Sequence, residues 1–201
     1  MAPELLDWDP KRLAAVVYRP EDDVDTLLAD FATDLLCAGE RIGGVVQRNL
    51  KDENGRQVGM QMIDLMTGRA ISISQRLGRG ATGCKLDPAG LAEASLAVCR
   101  AIEEEVALVV VNKFSKQEAA GHGLRSELAD AIVAGLVVLT AVPERCADAW
   151  SAFTGDRGTT LLCARQTIAE WWREVSLREG FVRNNQPPQR GARSVSLATT
   201  Y

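Results

Sequence analysis

A single histidine, His122, stands in the chain, and the five cysteines, Cys37, Cys84, Cys99, Cys146 and Cys163, include no pair at C-x-x-C spacing. A structural zinc site draws four such ligands from close spacings, so none is expected. The thiols are odd in number and scattered. They fit small apolar groups in a reducing compartment better than a disulfide framework. The opening MAPELLDWDPKR carries acids where a secretory leader carries bases, and no apolar stretch follows it. No run reaches the length of a membrane span: residues 106–111 are too few, and residues 131–142 are interrupted. Positive charge is not in excess either. A formal net charge of −4 and a pI near 5.2 give no support for general nucleic-acid or anionic-membrane binding. These absences lead to the expectation of a cytoplasmic protein with neither nucleic-acid nor membrane partners.

What is present is ordinary globular material. The 201 residues, 46% apolar and 25% charged, suffice for one domain with a full core. Apolar runs at 13–18, 107–111 and 136–142 read as buried strands. Residues 41–47 read as a further strand, and 159–162 as a short last one. Between them lie helical patterns. One follows Asp22 or Asp23 and ends at Gly39; another starts at Asp87 and Pro88, cap and first residue. Others cover 126–134, 143–153 and 163–175, the last with Trp171 and Trp172. Residues 57–65 and 70–75 read as a hairpin turned at 66–69, with Ile71 and Ile73 alternating against Ser72 and Ser74. Strands alternating with helices predict a three-layer α/β domain, its sheet mostly parallel, with an inserted antiparallel hairpin. The expected divisions are an extension over 1–10, a domain over 11–175 and a polar tail over 176–201.

Five segments together resemble one family: GERIGGVVQRN, GMQMIDLMTGRAISISQRLG, GCKLDP, LVVVNKFSKQEAAGHGLR and VLTAVPERCADAW. As a set they are similar to the bacterial family of domain of unknown function 2478. That family in turn resembles the P-loop nucleoside-triphosphatases related to the thermophilic archaeal-type enzyme. The likeness spans roughly residues 11–175. It implies a P-loop-type fold and, for some members, a molybdenum-related context.

Two departures from the triphosphatase pattern matter. A phosphate loop reads G-x-x-x-x-G-K-[ST], because glycines let backbone N–H groups cradle phosphate. After the first strand this chain has YRPEDDVDT, with no glycine, no lysine and acids at Glu21, Asp22, Asp23 and Asp25. An acid that holds magnesium should follow Val111; Asn112 and Lys113 stand there. Both halves of a degenerate Walker apparatus are thus altered.

In doubly wound sheets, ligands bind beyond the carboxyl ends of the strands. That rule nominates Arg19, Gln47, Asn112, Lys113, Lys116, His122 and Arg125 as ligand-binding residues. Arg48 and Asn49 beside Gln47 either bond a ligand or end the strand. The Gly-rich stretch 78–85 adds Arg79, Thr82, Cys84 and Lys85 as an anion-binding nest; the alternative is a plain connection. The predicted function is non-catalytic binding of an anion, a molybdate-type oxyanion or a nucleotide phosphate, by an accessory protein. The alternatives are an active nucleoside-triphosphatase with unusual residues, or an interaction module that docks a partner or a second copy through its C-terminal helix. No catalytic residue, metal ligand or cofactor is assigned.

Overall fold

The computed structural model describes residues 8–75 and 85–180. Five strands form the parallel part of one sheet: β1 (Leu13–Tyr18), β2 (Ile42–Lys51), β7 (Leu108–Val111), β8 (Val138–Pro143) and β9 (Thr159–Leu162). Strands β3 (Gln57–Asp64) and β4 (Ala70–Ser72) continue it antiparallel beyond β2. The spatial order is β4-β3-β2-β7-β8-β1-β9, so the first strand lies between two of the last. A separate pair, β5 (Ser74–Gln75) and β6 (Lys85–Leu86), closes the hairpin region.

The central parallel strands β1, β7 and β8 are short and apolar because both faces are covered. Along β1, Leu13 and Ala15 point into one core, and Ala14 and Val16 into the other. In β7, Val109 and Val111 face the first core, and Leu108 and Val110 the second. The first core is closed by α2 (Pro88–Glu103), α4 (Arg125–Val133) and α5 (Ala147–Thr154). The second is closed by α1 (Val24–Cys37) and α6 (Arg165–Glu179). Trp171 and Trp172 lie in the second core, both buried. They therefore pack inward and form no outward face of the C-terminal helix.

Local chemistry sets the helix starts. The Asp23 carboxylate accepts from the Thr26 N–H at 3.2 Å, and Asp87 accepts from the Ala89 N–H at 3.2 Å ahead of Pro88. Gly44 has φ +91° inside β2, and a Cβ there would stand 2.1 Å from the Val110 carbonyl oxygen. Only glycine lets β2 approach β7 this closely.

Four boundaries differ from the sequence reading. β2 runs on through the exposed residues 48–51, because they pair with β3 in a ribbon. The expected hairpin forms between β3 and β4, but the chain then leaves this sheet, and Ser74 and Gln75 pair with β6. The final helix reaches Glu179 instead of stopping at 175. Val175 and Ser176 are buried, and the Arg12 guanidinium donates to the Glu179 carboxylate. At the other end Trp8 is already part of the packed body, with the Arg157 guanidinium 4.6 Å from its ring centre.

Candidate functional site

Helix α1 leaves β1 toward one face, whereas α4 and α5, which follow β7 and β8, pack on the other. The crevice between the ends of β1 and β8 is therefore the point where the winding reverses, the place where such sheets bind ligands.

In the phosphate-loop pattern, a lysine and a hydroxyl residue open the helix after the first strand. Val24 and Asp25 open α1. The turn before them is filled by its own acids. The Arg19 N–H donates to Asp22 Oδ2 at 2.7 Å, and the Thr26 hydroxyl donates to Asp23 Oδ2 at 2.8 Å. Carboxylates thus occupy the helix N-terminus where phosphate would sit.

Asp25 is the centre of the site and is nearly buried. Lys113 Nζ donates to Oδ1 at 2.8 Å and to Oδ2 at 3.0 Å. Asn112 Nδ2 donates to Oδ1 at 3.1 Å, while Gln47 Nε2 and Asn49 Nδ2 donate to Oδ2 at 3.1 and 2.9 Å. Donors from β2 and from the end of β7 thus converge on one carboxylate of α1. The Lys113 ammonium also stands 5.6 Å from the centre of the Tyr18 ring. Burial pushes the Tyr18 phenol above its ordinary value; Lys113 pulls it down and Asp25 raises it again. The net rise keeps the phenol protonated, a donor, at neutral pH. Cys163 is no thiolate: burial, with Asp22 and Asp23 adding to it, pushes its thiol up to about 11.

A cleft of about 450 Å³ opens beside this cluster. Its base holds Tyr18, Asp25, Gln47 and Asn49, and Lys113, Lys116 and Arg145 bring positive charge to its edge. Its far wall is apolar and comes from β3, the β5–β6 region and α2. A second groove of about 390 Å³ lies behind Asp25, between α1 and the β2–β3 ribbon. A larger groove of about 540 Å³ runs between β9 and α6. It touches none of the converging strand ends, so its size does not make it the site.

The loop after β7 is held from below. Phe114 packs against Trp150 and Phe153, with ring centres 5.1 and 5.4 Å apart. The short helix α3 (Lys116–Ala119) carries Glu118, which accepts from the Ser115 N–H at 2.9 Å and the Leu124 N–H at 3.1 Å. Those bonds consume its carboxylate and leave Lys116 and Gln117 turned to the cleft.

Of the residues nominated from sequence, Gln47, Lys113 and Lys116 meet at the cleft, and Asn112 stands behind Asp25, fully buried. Arg19 instead pairs with Glu144 at 3.0 Å on the surface. Arg125 lies over the Phe153 ring at 4.3 Å and donates to the Glu118 carbonyl at 3.0 Å, so it serves packing. His122 is exposed on the loop beyond α3 and is not among the residues lining the cleft. Arg79, Thr82 and Cys84 lie outside the described residues. Lys85 begins β6, but its side chain is outside the description.

Sequence reasoning noted Asp25 only as an acid hostile to phosphate and missed it as the hub. The signal was available: an acid opens α1 and a lysine ends β7, the reverse of the charge order in the triphosphatase pattern. Tyr18, Gln57, Met60, Met62 and Arg145 were also missed, since a strand end and a ribbon face carry no motif.

The sequence profile of the family described as Protein of unknown function (DUF2478) matches residues 13–171. The molybdenum import ATP-binding protein ModC 2 of Bradyrhizobium diazoefficiens is 67% identical over 175 residues, which are 87% of this chain and 20% of that protein. The chain therefore spans about a fifth of the length of this curated relative. Among solved structures, THEP1 from the hyperthermophile Aquifex aeolicus superposes with a TM-score of 0.55 at 16% identity, over 83% of this chain and 96% of that one. A human cancer-related nucleoside triphosphatase gives 0.52 at 14% identity, over 85% and 99%. At these identities the likeness shows the fold: a P-loop nucleoside-triphosphatase-like sheet with its helices.

Proposed function

The chain belongs to the DUF2478 family, and from that premise we propose that it is a non-catalytic, cytoplasmic accessory protein that binds an anion beyond the ends of β1, β2 and β7. The observation that carries this reading is the Asp25–Lys113 pair. A triphosphatase holds magnesium between a hydroxyl on the helix and an acid on the strand. Here both oxygens of the helix carboxylate already accept from an ammonium, and the strand offers the neutral Asn112 beside it. The residues present do not fit magnesium. Asp25 has no oxygen free of donors, and Lys113 repels a second cation.

The same pair suits an anion. Lys113 is fixed by Asp25 and Tyr18 and needs no ordering on binding. Lys116 and Arg145 at the rim add charge that is not shared with Asp25. Molybdate and a nucleotide phosphate are the two candidate anions. The name of the Bradyrhizobium relative supports a place in molybdenum handling, and the fold supports phosphate.

A thermal-shift panel of molybdate, tungstate, sulfate, phosphate and nucleotides, each with and without magnesium, tests the reading. A ligand at about a hundred times its Kd should stabilise the fold by roughly 2.7 kcal/mol. The expected result is anion-dependent stabilisation that magnesium does not enhance and that Lys116→Ala with Arg145→Ala weakens. Magnesium-dependent phosphate release from ATP or GTP would overturn it.

A further inference from the structure

We infer that the cleft takes an anion built on a flat heteroaromatic ring, with the ring lying on the methionine wall and the charged group at Lys113, Lys116 and Arg145. This rests on the anion-binding reading above and goes further by naming the body of the ligand.

Three observations carry it. The first is size. A tetrahedral oxyanion would leave most of about 450 Å³ to water, whereas a cavity of this volume suits an organic ligand. The second is the far wall, made of Met60, Met62, Ile73, Leu86 and Leu91. A site for a bare oxyanion is lined by donors; an apolar wall gains nothing from it and gains from a ring. Thioethers in particular make favourable contacts with aromatic rings. The third is the carboxamides beside that wall. Gln47 and Gln57 spend their Nε2 groups on Asp25 and Asn49. Among the described residues no donor is hydrogen-bonded to the Oε1 of either. Both glutamines line the cleft, and an amide oxygen accepts from the ring N–H or amino groups of a heteroaromatic ligand.

The test uses the full chain with 13C-labelled methionine methyl groups. It has four methionines, and Met66, in the β3–β4 turn against Gly43, is an internal control. The probes are adenosine and guanosine monophosphate and phenyl phosphate, set against ribose 5-phosphate, inorganic phosphate and molybdate. The expected result is that an aromatic phosphate binds at least about tenfold tighter than its ring-free counterpart. Its ring current should shift the methyl signals of Met60 and Met62 and leave that of Met66. Gln57→Ala, on the exposed ribbon, should weaken the two nucleotides, Met60→Ala should weaken every aromatic anion, and both should leave inorganic phosphate unchanged. Equal affinity for ring-bearing and ring-free anions, or binding without shifts at Met60 and Met62, overturns the inference but spares anion binding. Failure of every anion overturns both.

Discussion

Lys113 and Asp25 hold one another at 2.8 Å with side chains 18% and 11% exposed, so water screens them little. Removing one partner leaves the other charged and buried. Lys113→Met is therefore expected to cost about 3 kcal/mol or more in urea denaturation. The double variant Asp25→Asn with Lys113→Met should recover most of that loss, because no lone charge remains. Asp64 responds to pH. Burial raises its carboxyl, but the Thr67 hydroxyl, the Met66 N–H and Arg100 together outweigh burial, and the net direction is down. A carboxylate depressed in the folded state stabilises fully above its unfolded value, about 3.9. That contribution fades as pH falls through the lower folded value. Acid unfolding followed by circular dichroism should show this loss, and Asp64→Asn should flatten the curve in that range. These pairings could not be read from sequence, since Asp25 meets Lys113, and Asp64 meets Arg100, only after the sheet has formed. Lys113 itself was legible, because it stands where an expected acid is missing.

At the scale of elements, the legible parts were those with a period or a cap. The apolar runs at 13–18, 107–111 and 136–142 became β1, β7 and β8 because burial on both faces demands an unbroken apolar run. Asp87 with Pro88 announced α2 by the same logic of caps. The ribbon of β2 and β3 was half hidden. Residues 48–51 are exposed, so no hydrophobic alternation marks them as strand. Yet that ribbon supplies Asn49 and Gln57 to the cleft, and of these only Asn49 was legible as a candidate. The close contact of β2 with β7 has a sharp test in Gly44. An alanine there would need φ +91° and would press its Cβ to 2.1 Å from the Val110 carbonyl oxygen. Gly44→Ala is expected to destabilise by several kcal/mol, more than a typical single substitution. Chemical denaturation would read it; a loss below about 1 kcal/mol would show that β2 can draw back.

For the whole molecule, the strand order explains why the cleft is where it is. β1 sits inside the sheet, with β8 on one side and β9 on the other, and its helix α1 packs on the opposite face from α4 and α5, which follow β7 and β8. That reversal opens the crevice, and the charges at its mouth are local choices laid over a shared architecture. The same arrangement has a consequence in time. Leu13 pairs with Val138, and Ala14 with Thr159, so β1 cannot be enclosed until β8 and β9 have been made. Helix α1 is complete early, but the surface it covers includes β8, which arrives late. Contacts so distant along the chain close slowly. The first strand of this sheet is thus a keystone set last. Asp25 then meets Lys113 as part of the same closing event, so the cleft is finished only when the fold is.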